Sequence, residues 1–99
     1  MKSLTLTGTT VKALRAYFEL PASAFGEVIG VTGSTVYRWE ATGDAPIKVD
    51  PHTAKILQLM IDASKRERTI KRRVYDAFLK HGGLAALYQL LSWQFAKAA

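Results

Sequence analysis

The stretch FGEVIGVTGSTVYRWE, from Phe25 to Glu40, constrains this chain more than any other. Phe25, Val28 and Ile29 recur at helical spacing and end at Gly30, the residue type that adopts a left-handed helix exit at least cost. Two residues later Thr32 fits the N-cap of a second helix, its hydroxyl accepting from a free backbone N–H of the first turn. Val31, apolar within the turn, plugs the angle between the two helices. In the second helix Val36 and Trp39 face inward, three residues apart, while Gly33, Ser34, Thr35, Tyr37 and Arg38 lie outside that seam. Ala22 and Ala24 are small enough for the first helix to approach a neighbour closely. The order predicts two short helices joined by a tight turn, with a small, polar, arginine-bearing outer face on the second.

The rest of the chain reads as further helices. Thr9 or Thr10 caps a first helix whose inward set is Val11, Leu14, Ala16 and Phe18, ending near Leu20. Before it, Leu4 and Leu6 alternate with polar residues, as in a short strand or arm. After Glu40, ATGDAPIKVDP is a loop rich in turn residues, and Asp50-Pro51 restarts a helix as N-cap and first helical residue. Ala54, Leu57, Met60 and Ile61 form its stripe. Ser64-Lys65-Arg66-Glu67 fits a capping box that starts a new helix at Ser64, although Lys65 and Arg66 would then oppose the helix dipole, so either the two helices run on as one or phosphates neutralise that end. Ile70, Val74, Ala77 and Phe78 face inward beyond it. His81-Gly82-Gly83 breaks the chain, and a last helix carries Leu84, Leu87, Tyr88, Leu91 and Phe95 on one seam, with Leu90 and Trp93 off it. The expected fold is all-α, a compact bundle of five to six helices. Residues 1–63 form its helix-turn-helix core and residues 64–99 an extension of the same domain.

Charge is distributed unevenly. The 99 residues carry a net charge of +6, yet residues 1–64 hold six Lys and Arg against six acids. The excess lies wholly beyond Ser64, where Lys65, Arg66, Arg68, Lys71, Arg72, Arg73, Lys80 and Lys97 face only Glu67 and Asp76. Cysteine is absent, no apolar run approaches the ~20 residues of a membrane span, and the first ten residues lack the pattern of a signal peptide, so a cytoplasmic chain is expected. His52 and His81 are far apart with no carboxylate at ligand spacing. No metal, no cofactor and no enzymatic activity are expected.

The motif resembles the helix-turn-helix of Xre-type regulators, the phage-repressor and Cro-like group, over roughly residues 10–60. The resemblance rests on Gly26, Gly30-Val31-Thr32, the inward Val36, and Trp39-Glu40 followed by Gly43 and Pro46. It implies a lambda-repressor-like core in which an arginine of the preceding helix, here Arg15, pairs with the glutamate that ends the recognition helix, here Glu40. Ala22 stands where family members usually carry a glutamine that touches phosphate and a base, and Pro21 stands where a serine or threonine usually caps.

The expected function is sequence-specific binding of double-stranded DNA by a transcriptional regulator, with residues 33–41 in the major groove. Ser34, Thr35 and Arg38 would read bases, then Tyr37, with Gly33 letting the backbone approach. Thr32, Thr42 and Lys48 are candidate phosphate contacts, followed by Arg68, Arg72 and Arg73 of the basic run. The last helix, through Leu84, Leu87, Tyr88, Leu91, Trp93 and Phe95, would pair two copies and place two recognition helices ~34 Å apart on a palindrome. The alternative is a protein-interaction adaptor, or an antitoxin-like or phage-encoded regulator whose C-terminal helices hold a partner protein.

Overall fold

In the computed structural model, which describes residues 6–98, all regular structure is helical. The elements are α1 (Gly8–Phe18), α2 (Ala22–Ile29), α3 (Gly33–Ala41), α4 (Pro51–Arg66), α5 (Ile70–His81) and α6 (Gly83–Ala98). Among the described residues no strand forms. A single antiparallel bridge joins Thr7 to Pro46, and Ile47 N–H donates to Leu6 O at 3.0 Å. Leu4, the other residue of the expected arm, lies outside the described residues. No helix among them is long and apolar enough to cross a membrane.

The helix ends follow local chemistry, with three departures from expectation. The first helix is capped by Thr7 rather than Thr9 or Thr10, because Thr7 Oγ1 accepts from Thr10 N at 3.2 Å. That start puts Gly8, Val11, Leu14 and Phe18 inward and leaves Ala16 exposed. The exit of α1 has no glycine: Glu19 itself takes the left-handed conformation at φ 56°, with Glu19 N donating to Ala16 O and Leu20 N to Arg15 O. The break that a capping box would place at Ser64 falls later. Ser64 Oγ donates to Ile61 O within α4, and the helix runs on to Arg66. Lys65 and Arg66 therefore occupy its last turn, where the helix dipole favours cations.

Asp50 caps α4 as the sequence predicts, accepting from Thr53 N at 2.9 Å. The buried Thr53 hydroxyl lies within donating distance of both Asp50 Oδ2 and Ile29 O, tying the start of α4 to the end of α2.

Six of the eight residues of α2 are buried: Ala22, Ala24, Phe25, Gly26, Val28 and Ile29. The helix touches α3, α4 and α6, so the C-terminal helices complete the core instead of standing apart from it. The inward row of α6 is not its seam of large apolar side chains. Gly83, Ala86, Leu90 and Trp93 are buried, and the seam of Leu84, Tyr88 and Phe95 faces solvent with Leu87 and Leu91 half-buried beside it. Trp93, expected at an interface between copies, belongs to the core. The cause is close approach: a Cβ on Gly83 would lie 2.5 Å from Glu27 Cβ and 2.9 Å from Ala24 O. Gly83 N also donates to Glu27 Oε1 at 3.2 Å, so a carboxylate of α2 meets the positive end of α6.

Two glycines of α2 and its exit are required for different reasons. A Cβ on Gly26 would stand 2.4 Å from Val31 O and 3.1 Å from Thr32 C, both backbone atoms. Gly30 has open space around it but a φ of 90°. Gly30→Ala is expected to cost about 1–2 kcal/mol through backbone strain, and Gly26→Ala to cost more, about 3 kcal/mol, by forcing the motif apart. Urea denaturation of both variants checks the order, and equal losses would count against the packing account.

The Asp50 carboxyl is held below its usual value of 3.8, chiefly because Thr53 N–H donates to the charged form and then because the Thr53 hydroxyl does. A folded-state value below the unfolded one gives stability that is complete above the unfolded value and is lost as pH falls through the folded one. Thermal melting from about pH 5 downward should therefore show a steeper fall, beginning near the usual value of 3.8, for the native chain than for Asp50→Asn. Parallel curves would assign the cap no pH dependence.

Candidate nucleic-acid interface

α3 is fixed at both ends and free on its outer face. At its start Thr32 Oγ1 accepts from Thr35 N at 3.2 Å. Gly33 then lies against α2, where a Cβ would sit 3.2 Å from Ser23 N and 3.3 Å from Ser23 Cα. This corrects the expectation for Gly33: its missing side chain lets α3 meet α2. The first turns of α2 and α3 are thus neighbours, and α2 has no side-chain cap at Pro21. Two adjacent helix starts concentrate partial positive charge from unpaired N–H groups.

At its other end α3 is clamped to α1. Arg15 Nε donates to Glu40 Oε2 at 2.6 Å and Nη2 to Oε1 at 3.0 Å, a two-pronged pair. Arg15 Nη1 also donates to Leu20 O at 3.3 Å, and the guanidinium lies 5.6 Å from the centre of the Tyr37 ring. The hydrogen bond to Glu40 is the main reason the guanidinium holds its proton above its already high ordinary value; burial opposes the shift. Glu40 is spent on this pair and is not free to face a ligand. Gly8 adds a second fixture, because a Cβ there would overlap Trp39 O.

Between these fixtures Val36 and Trp39 are buried, while Ser34, Tyr37 and Arg38 are exposed and Thr35 half-exposed. Arg38 Nη2 donates to Thr35 Oγ1 at 3.3 Å, and Thr35 Oγ1 lies 3.1 Å from Thr32 Oγ1. When Thr32 donates in that contact, the Thr35 hydroxyl proton is not used by it. The remaining Arg38 N–H groups are uncommitted among the described residues. Tyr37 is held by the Arg15 guanidinium beneath its ring, so its exposed ring has a restricted orientation.

The proposed phosphate contacts divide. Thr42 Oγ1 donates to Trp39 O at 2.7 Å, which commits its only proton to the end of α3 and corrects its expected role. Thr32 is engaged as the cap. Lys48 is exposed in the loop before α4. Arg68, Arg72 and Arg73 are exposed and make no ion pair with the described residues. Lys71, in contrast, sits 3.8 Å from Glu19 and 5.3 Å from the centre of the Tyr17 ring.

Two site features escaped sequence reading. Ser23 is exposed in the first turn of α2 beside Gly33, a neighbour that only the crossing of the helices creates. Glu27 is taken up by the start of α6, 56 residues away, and no local pattern signals it. Among the described residues no three His, Asp or Glu side chains gather where they would hold a metal ion.

The clamp is open to a double-mutant cycle. Arg15 and Glu40 side chains retain 24% and 10% exposure, so either partner left alone keeps a partly desolvated charge. Arg15→Met and Glu40→Leu should each destabilise by about 1–3 kcal/mol, with the double variant losing less than the sum by roughly 1 kcal/mol or more. Additive losses in urea denaturation would show that the two side chains act independently.

The chain matches no protein-family model, no curated protein and no solved structure.

Proposed function

We propose that this chain is a sequence-specific double-stranded-DNA-binding regulator of transcription, of the Xre-like kind its motif resembles, acting in the cytoplasm on nucleoid DNA. The observation that carries the reading is the outer face of α3, with Ser34, Tyr37 and Arg38 exposed next to the joined starts of α2 and α3. Positive helix ends and free N–H groups favour phosphate, and the adjoining polar face is one helix wide, as a major groove requires. Arg38 presents its free N–H groups as a fork for guanine O6 and N7, while its bond to Thr35 restricts the side chain before binding. Ser34 and the half-exposed Thr35 add less selective contacts.

Residues 1–64 are electrically balanced, so long-range attraction falls to the basic run, of which Arg68, Arg72 and Arg73 make no ion pair among the described residues. The motif supplies selection and the annex supplies grip. Arg15, Glu40, Gly33 and Thr42 serve to aim α3.

Binding to genomic fragments, followed by footprinting, identifies a site on which variants are compared. Arg38→Ala should weaken binding to that site by about 1–3 kcal/mol and relax preference at one base pair, leaving random duplex little affected. Replacing both Arg72 and Arg73 by alanine should instead weaken specific and random binding alike and reduce the salt slope by about one unit per lost phosphate contact. Equal loss on both duplexes for Arg38→Ala would remove the base-reading role. Failure to retard any duplex, with a stoichiometric protein partner co-purifying, would favour an adaptor.

A further inference from the structure

A groove of about 480 Å³ runs between α1 and α4, within the usual size range of small-molecule sites. It shares no residue with the outer face of α3. Thr10, Ala13, Leu14 and Tyr17 follow one another at intervals of three, one and three residues, so one face of α1 about 10 Å long forms a wall. Ile61 of α4 completes the apolar lining. The Tyr17 ring is set in place in advance: Phe18 meets it edge-on with 5.1 Å between ring centres, and Lys71 Nζ lies 5.3 Å from its centre.

The polar groups of the groove differ in what they still offer. Thr9 Oγ1 donates to Asp44 Oδ1 at 2.7 Å and Ser64 Oγ donates to Ile61 O at 2.7 Å, so both hydroxyl protons are spent. Thr10 Oγ1 lies 3.1 Å from Thr7 Oγ1, and the two share a proton. The N–H groups of Thr9 and Thr10, at the start of α1, are taken by Gly43 O and Thr7 Oγ1. Lys65 is exposed, makes no ion pair with the described residues, and is the one charged residue of the lining. Two other hollows balance their own charge. The groove between α4 and α6 sets Lys55 against Asp62, and the hollow between α1 and α5 sets Lys71 and Arg72 against Glu19 and Asp76.

We propose that the α1–α4 groove binds a small organic monoanion, an aromatic or aliphatic carboxylate whose apolar body lies along Ala13, Leu14, Tyr17 and Ile61 and whose charged end pairs with Lys65 Nζ. One ammonium matches one negative charge. A phosphate dianion calls for further cations or free N–H groups, and this lining supplies neither. Lys65 also stands in the last turn of α4, where the carbonyl end of the helix disfavours a second negative charge. A neutral hydrocarbon would leave the ammonium unused, and a cationic ligand would meet it as a like charge. The groove opens to solvent along one side, so much of the ligand stays hydrated and dissociation constants should fall in the high micromolar range. Binding here requires no DNA and is tested without it.

Isothermal titration of the full chain with phenylbutyrate and with octanoate should show a single saturable site. Phenylbutyramide, of the same shape but uncharged, should bind about three- to fivefold more weakly, the range an exposed ion pair allows, and phenylbutylamine more weakly still. Lys65→Gln should reduce the affinity for phenylbutyrate by the same factor and leave that for phenylbutyramide unchanged. Ala13 is exposed at the groove, so Ala13→Phe fills it without entering the core. That variant should lose both carboxylates while its melting temperature stays near that of the native chain. Lys65 is exposed as well, so each variant probes the groove with the fold intact. In a nuclear magnetic resonance titration the amide shifts should centre on Ala13, Tyr17 and Ile61. No saturable binding of either carboxylate at millimolar concentration would overturn the proposal. So would an affinity for phenylbutyrate unchanged in either variant, or shifts centred on Arg68, Arg72 and Arg73, which would mark adsorption to the basic run.

Discussion

The packing of the whole chain is governed by how little of α2 reaches solvent. An eight-residue helix contacted by α3, α4 and α6 has room for large side chains on only part of its circumference. Phe25, Val28 and Ile29 fill the core, and elsewhere the helix or its neighbour must shrink to let backbones meet. Ala22, Ala24 and Gly26 make that concession within α2, and Gly33 and Gly83 make it on the facing helices. The buried Thr53 hydroxyl then joins the exit of α2 to the start of α4. A helix so enclosed cannot shift without moving three others, which gives the short motif a rigidity that its own length does not supply.

The motif was legible in the sequence because its punctuation is local. Gly30 takes a left-handed conformation, Thr32 and Asp50 cap through their own side chains, and each needs only the next few residues to act. The pairing of Arg15 with Glu40 was expected from resemblance and is present as a two-pronged contact. The reading stopped short where distance or competition decided. At Ser64 a capping pattern competed with the continuation of α4, and continuation placed Lys65 and Arg66 at the favourable helix end. At Glu19 no residue type signalled the turn, because the buried Phe18 and Leu20 and the Arg15 contacts force the conformation on a glutamate.

On α6 periodicity marks a seam of large side chains without saying which side packs on the core. The structure buries the row of Gly83, Ala86, Leu90 and Trp93 instead. Hydrophobic spacing measures how well a face would repay burial, whereas the space available beside α2 admits glycine and alanine there. Nothing near Gly83 in the sequence points to Ala24 or Glu27, so that constraint appears only with the tertiary contact. For the outer face of α3 the outcome was mixed: Ser34, Tyr37 and Arg38 are exposed, but Gly33 lies against α2 and the Thr42 hydroxyl is spent on the end of α3 itself.

The contact between Gly33 and Ser23 has an evolutionary corollary. Because the crossing of α2 and α3 rests on backbone meeting backbone, and the far end on Arg15 and Glu40, the tilt of α3 is set by positions that do not face outward. Ser34 and Arg38 can therefore vary with little effect on that tilt. A lineage built on this scaffold is free to change what the helix touches while keeping where it points, and successive substitutions on the outer face are tolerated one at a time.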